Sequence, residues 1–201
     1  VYVSENGEDD KYKLAWTGRE TTYIDSQAQA GKTYSYKVKA VSETGVESAF
    51  SEPTSVKCMP GVPQIKNTDV NNDGKPSIEW NKVEGADKYE ILRAESKDGN
   101  YTKIGETKEF SYTDTSAEAG KTYYFKVKVV AGDTSATSEA ASVSCPILAP
   151  VIQSAGLNES GNPVITWGKV AGASKYDILR AEEENGTYNT LTTTTETTYT
   201  D

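Results

Sequence analysis

The chain has 201 residues, 35% apolar and 25% charged, with a formal net charge of -9 and no histidine. An acidic chain without clustered Lys and Arg argues against phosphate-driven nucleic-acid binding and against anionic membrane surfaces. The missing imidazole removes the commonest general base and transition-metal ligand, so no enzyme, no metal and no cofactor is expected.

Thirteen Tyr and many Thr favour short strands joined by turns, and no apolar run approaches the roughly 20 residues of a membrane-spanning helix. The first turn signal is Asn6-Gly7, followed by the acidic run Glu8-Asp9-Asp10 and by Tyr12, Trp16, Tyr23 and Tyr34. A shift of 89 positions places Tyr12 on Tyr101, Tyr23 on Tyr112, Gly31 on Gly120 and Tyr34 on Tyr123. Val1 falls on Glu90, so this opening piece is expected to lack its first strands.

A complete period is expected over 59–145. Its short alternating segments predict seven strands: A at 62–65, B at 77–80, C at 89–93, C′ at 101–105, E at 111–112, F at 122–130 and G at 140–145. On strand F, Tyr123, Phe125, Val127 and Val129 share one face while Lys126 and Lys128 share the other, which fixes the inward side. Ile78, Trp80, Tyr89, Ile91, Val143 and Cys145 supply the opposing walls. Asp98-Gly99 marks the C–C′ turn, where residues tolerant of positive φ are needed.

A shift of 87 then carries Trp80 onto Trp167, Tyr89 onto Tyr176, Arg93 onto Arg180 and Tyr112 onto Tyr199 without a gap. The chain therefore divides into 1–58, 59–145 and 146–201, with a cut piece at each end. Three outcomes are open for the cut pieces: completion by sequence outside this chain, mobile ends, or completion by neighbouring copies. Simple head-to-tail complementation fits poorly, because the two end pieces together overshoot one period. Pro63 and Pro150 each follow a Cys by five positions, which makes short, stiffened junctions and favours a rod.

The B-strand Trp (Trp80, Trp167), the C-strand Tyr-x-Ile (Tyr89 with Ile91, Tyr176 with Ile178) and Ala-Gly-Lys-Thr-Tyr ending at Tyr34 and Tyr123 together resemble fibronectin type III repeats. The resemblance spans the whole chain and implies an all-β fold of tandem immunoglobulin-like sandwiches arranged as a rod. It also implies a tyrosine corner at Tyr34 and Tyr123. The phrase from Trp80 to Tyr89, echoed from Trp167 to Tyr176, is similar to repeats in surface and secreted proteins of Gram-positive bacteria. That likeness implies an extracellular or cell-surface, noncatalytic spacer or interaction module, with other domains of the same parent protein as partners. The alternative is an adhesin-type module that recognises a host protein or glycan. An Arg-Gly-Asp route to integrins has no support, because the F–G loops read Gly132-Asp133-Thr134 and Glu43-Thr44-Gly45.

Four features remain as candidate sites. Asp69 to Gly74 resembles the start of a calcium loop but has Trp80 at its twelfth position, so a polar A–B turn is expected. Cys58 and Cys145 occupy equivalent positions too far apart to bridge, and each shares parity with an inward Val, so both are expected to be small buried apolar residues. The runs Glu8-Asp9-Asp10 and Glu182-Glu183-Glu184 read as solvated loops, with a cation or a basic partner as the alternative. Trp16 aligns with Gly105 and Thr192 on strand C′, where the pattern asks for no aromatic. It either packs locally, against Tyr12 or the next domain, or contacts a sugar or protein from an exposed edge.

Overall fold

The computed structural model describes residues 1–8 and 11–201, and its described residues form strands and turns with no α-helix. The first group of strands, β1 (Tyr2–Glu5), β2 (Lys13–Leu14), β3 (Thr33–Lys37) and β4 (Thr54–Lys57), makes one antiparallel sheet in the order β2-β1-β3-β4. These are strands C, C′, F and G of the period.

The middle group holds β5 (Ile65–Val70), β6 (Pro76–Trp80), β7 (Lys88–Ala94), β8 (Thr102–Thr107), β9 (Ser111–Thr113), β10 (Thr122–Ala131), β11 (Thr134–Thr137) and β12 (Ala141–Ser144). Strands β5, β6 and β9 form one sheet, and β8, β7, β10 and the pair β11 and β12 form the other. In β10 every second residue is buried, the period expected when one face of a sheet closes on a core. Tyr89, Ile91, Tyr123, Phe125, Val127 and Val129 from one sheet meet Ile78 and Trp80 from the other, with Val143 and Cys145 closing the side. Each such burial contributes about 1.5–3 kcal/mol.

The third group, β13 (Ile152–Leu157), β14 (Pro163–Trp167), β15 (Tyr176–Arg180), β16 (Asn189–Thr194) and β17 (Thr198–Thr200), repeats the first half of this arrangement. Strands β13, β14 and β17 form one sheet, and β15 with β16 a two-stranded one.

Three details depart from the sequence expectation. Strand A begins at Ile65 and runs to Val70, later than 62–65. Pro63 has no N–H to donate, and the exposed polar stretch Lys66 to Asp69 hides the alternation of an edge strand. Strand G is broken into β11 and β12, both paired to β10. At the break, Ser138 turns inward: its hydroxyl accepts from the Val127 N–H at 2.9 Å, and its own N–H donates to the Val127 carbonyl at 2.9 Å. Ser51 repeats this bond set against Val38 in the first group. Finally, Val3 pairs with Tyr36 as Arg93 pairs with Phe125, so the opening strand is shifted by one residue from the Val1-to-Glu90 match. Such a slip moves every side chain to the opposite face.

Candidate functional site

Trp16 lies just past β2, where the Ala15 and Trp16 N–H groups donate to the Val1 carbonyl at 3.0 and 3.3 Å. Its counterpart in the middle group, Gly105, is paired with the inward Ile91, and a Cβ there would come within 2.4 Å of the Tyr112 hydroxyl. The C′ position therefore faces the space between the sheets. Trp16 follows it: the indole is half-buried and packs on Tyr23, the Tyr112 counterpart, with ring centroids 6.0 Å apart at 31°. The local neighbour is Tyr23 and not Tyr12, whose ring instead receives the Lys37 ammonium at 4.5 Å. Trp16, Tyr23, Val1 and Val38 line a cavity of about 930 Å³ whose polar rim includes Arg19, Glu43 and Glu47.

The remaining polar features serve turns. Asn71 Oδ1 accepts from the N–H groups of Asp73 and Lys75 at 3.0 and 2.9 Å, and Gly74 adopts a φ of 73°. Asn158 does the same for Ser160 and Asn162 at 3.0 and 2.9 Å. The calcium-like run is thus an A–B hairpin turn whose best oxygen already holds the backbone. The sequence points to this polar turn but not to Asn71 as its holder, for which the Asn three residues before Gly in both loops was the available signal.

Tyrosine hydroxyls hold the other turns. Tyr123 accepts from the Glu118 N–H at 3.2 Å, and Tyr34 from the Gln29 N–H at 3.2 Å, which places the tyrosine corners as expected. Tyr89 accepts from Val83 at 2.8 Å and Tyr176 from Val170 at 2.9 Å, a B–C tie that the sequence reading did not assign.

Asp114, only 2% exposed, receives the Arg93 guanidinium at 2.6 Å and the hydroxyl and N–H of Ser116 at 2.6 and 3.0 Å. Arg180 and Asp201 repeat the ion pair at 2.6 Å. On the outer face, Lys88 and Lys103 flank Glu106 and pull its carboxyl down to about 2 through hydrogen bonds and charge.

Both cysteines are free; Cys145 is buried and Cys58 half-buried. Burial, then the nearby Asp114 charge, push the Cys145 thiol up, away from the nucleophilic thiolate. Glu182, Glu183 and Glu184 are exposed on the β15–β16 hairpin, whose Gly186 N–H donates to the Glu183 carbonyl at 2.9 Å. Of the other acidic run, Asp9 and Asp10 lie outside the described residues, and Glu8 pairs with Lys11. Among the described residues no three His, Cys, Asp or Glu side chains come together to hold a metal ion. Among them, too, no helix is long and apolar enough to cross a membrane.

A three-stranded A-B-E sheet facing a C′-C-F-G sheet, closed by a tyrosine corner, defines a fibronectin type III-like sandwich. Similar solved structures include a Fn3-like protein from Clostridium thermocellum, 28% identical over 45% of this chain and 97% of its own, with a TM-score of 0.41. Chicken CNTN1 FN1-FN3 domains align over 99% of this chain and 78% of their own at 13% identity, with a TM-score of 0.36. No family model and no curated protein matches the chain. Such a fold is a module fold, and by itself it assigns no activity.

Proposed function

We propose that the chain is a noncatalytic extracellular spacer of a larger surface or secreted bacterial protein, built from modules at 1–58, 59–145 and 146–201. One observation carries this reading: four polar side chains with the chemistry to serve a site hold the module's own turns instead. Tyr89, Tyr123, Asn71 and Asp114 all hold backbone or one another, and three of the four do so again at Tyr176, Asn158 and Asp201. Such a module holds distance between neighbouring domains of its parent without chemistry of its own. Small-angle scattering on the full chain tests this: an extended particle is expected, and a compact one would refute the spacer role.

A second reading, an adhesin-type module for a host protein or glycan, is favoured by Trp16. Its indole stands at a C′ position where the other two repeats carry Gly105 and Thr192, an aromatic that the repeat pattern does not require. Glycan and protein arrays with the native chain and with Trp16→Ala decide it, since binding that survives the substitution removes Trp16 from the site.

A further inference from the structure

We propose that the two junctions of this chain are one joint used twice, an inter-module interface whose partner is the next module of the same kind, and that it holds successive modules at a fixed angle. The proposal rests on the spacer reading and adds to it a mechanism for stiffness.

The same two turns meet at both junctions. At the first, a Cβ on Gly85 would lie 3.1 Å from the Ala30 Cβ and 3.2 Å from its nitrogen. At the second, a Cβ on Gly172 would lie 2.6 Å from the Ala119 carbonyl oxygen and 3.2 Å from its Cβ. Gly85 and Gly172 stand in the B–C turns Val83-Glu84-Gly85-Ala86 and Val170-Ala171-Gly172-Ala173. Ala30 and Ala119 open the matching Ala-Gly-Lys-Thr-Tyr segments. At Gly172 the approach is closer than a side chain permits and at Gly85 it is tighter than most Cβ contacts, and both glycines have positive φ, 80° and 74°.

Each half of the joint is held rigid before it docks. The receiving B–C turns are tied by Tyr89 and Tyr176, and the E–F turns by the corner hydroxyls of Tyr34 and Tyr123. Two preorganised turns lose little conformational freedom on meeting. The connecting chain is pinned at both ends as well. Cys58 exchanges backbone hydrogen bonds with the Gly31–Lys32 turn at 2.8 Å; the Asn81 N–H donates to the Gln64 carbonyl at 3.2 Å and Asn81 Oδ1 accepts from the Gln64 N–H at 2.6 Å, leaving only 59–63, with Pro60 and Pro63 both buried. Cys145 repeats the tie to Gly120 and Lys121 at 2.8 Å, and Val151 is bonded to Gly168 at 3.1 Å.

A second contact sets the rotation about the first junction. Lys57 pairs with Asp133 on the F–G turn, a turn whose Gly132 N–H donates to Asp87 at 2.7 Å. A Cβ on Gly31 would lie 2.7 Å from the Ala131 carbonyl on that same turn. This F–G contact adds, at the first junction, a further hold to the B–C contact that both junctions share.

Residual dipolar couplings on the weakly aligned full chain test the joint. A single alignment tensor is expected to fit β3 and β4, β5 to β12, and β13 to β17 together. Ala30→Lys and Ala119→Lys, which force the turns apart while leaving the ladders intact, are each expected to split off a second tensor of smaller magnitude. Different tensor magnitudes in the native chain, retention of a single tensor in both variants, or end groups unstructured in solution would each overturn the proposal. A hinged chain with no ligand on the arrays defeats the joint and leaves the noncatalytic spacer standing. A rigid chain with a specific ligand does the reverse.

Discussion

The Tyr36 hydroxyl donates to the Asp25 carboxylate at 3.0 Å, and by doing so it takes the place of an arginine. Asp25 holds the position of Asp114, which Arg93 grips in the middle group; there Phe125 occupies the Tyr36 position. In the first group Val3 stands where Arg93 stands, opposite Tyr36, so a hydroxyl on strand F restores the contact that strand C has lost. Both arrangements tie the E–F turn to the sheet, and the Asp25 carboxylate also accepts from Gln27 N–H at 3.0 Å, as Asp114 does from Ser116.

That contact predicts a late-titrating phenol. Desolvation first, and the hydrogen bond to Asp25 second, push Tyr36 up to about 12. A group whose folded pKa lies above its unfolded value stabilises the fold fully below the unfolded value, here near 10, and loses that contribution as pH rises through 12. Ultraviolet absorbance titration of the native chain is expected to show this phenol ionising above the main Tyr group, and Tyr36→Phe to abolish that step.

Arg93→Ala leaves a carboxylate that is 2% exposed without its cation. The expected cost is about 2 kcal/mol, within the range for stranding a buried charged group. Arg180→Ala, whose side chain is more than half exposed, is expected to cost under about 1 kcal/mol. Urea unfolding midpoints of the two variants compare them directly, and equal losses would contradict the burial argument.

Tyr123→Phe removes the corner hydroxyl but keeps the ring between Phe125 and the Arg93 guanidinium, which lies 4.6 Å from the ring centroid. The Glu118 N–H loses its acceptor, at an expected cost of about 1 kcal/mol. Amide exchange should show the loss as faster exchange at Glu118, with the β10 ladder unchanged.

Much of this fold was legible in the sequence because one face of β10 is wholly apolar and the other carries Lys126 and Lys128. Strand A was not, since an edge strand with Lys66, Asn67, Thr68 and Asp69 in succession has no alternation to read. The opening strand misled for the opposite reason. Val1, Tyr2 and Val3 are all apolar, so parity was undetermined, and only the pairing of Val3 with Tyr36 settled it. Trp16 lies just past β2 and not within it, and its direction matches that of Gly105 beside the Tyr112 hydroxyl, a three-dimensional relation with no local signature.

The two thiols are expected to differ in reactivity. Cys58 is half-buried, whereas Cys145 is buried against the Tyr123 wall and its thiol is pushed up by desolvation. A thiol reagent at neutral pH should modify Cys58 in the native chain and Cys145 only in denaturant, with peptide mass spectrometry assigning the sites. Equal rates would mean that the middle sandwich opens as readily as the first group.

The inward turn at Ser138 also governs what the module does in a crowd. An unbroken strand G would present a long, flat edge of unpaired backbone groups, the template on which another chain adds a strand. The serine divides that edge into two four-residue segments, β11 and β12, and Ser51 marks the same break in the first group. On its strand-G side the module thereby offers a neighbouring chain two short segments in place of one continuous border for strand addition.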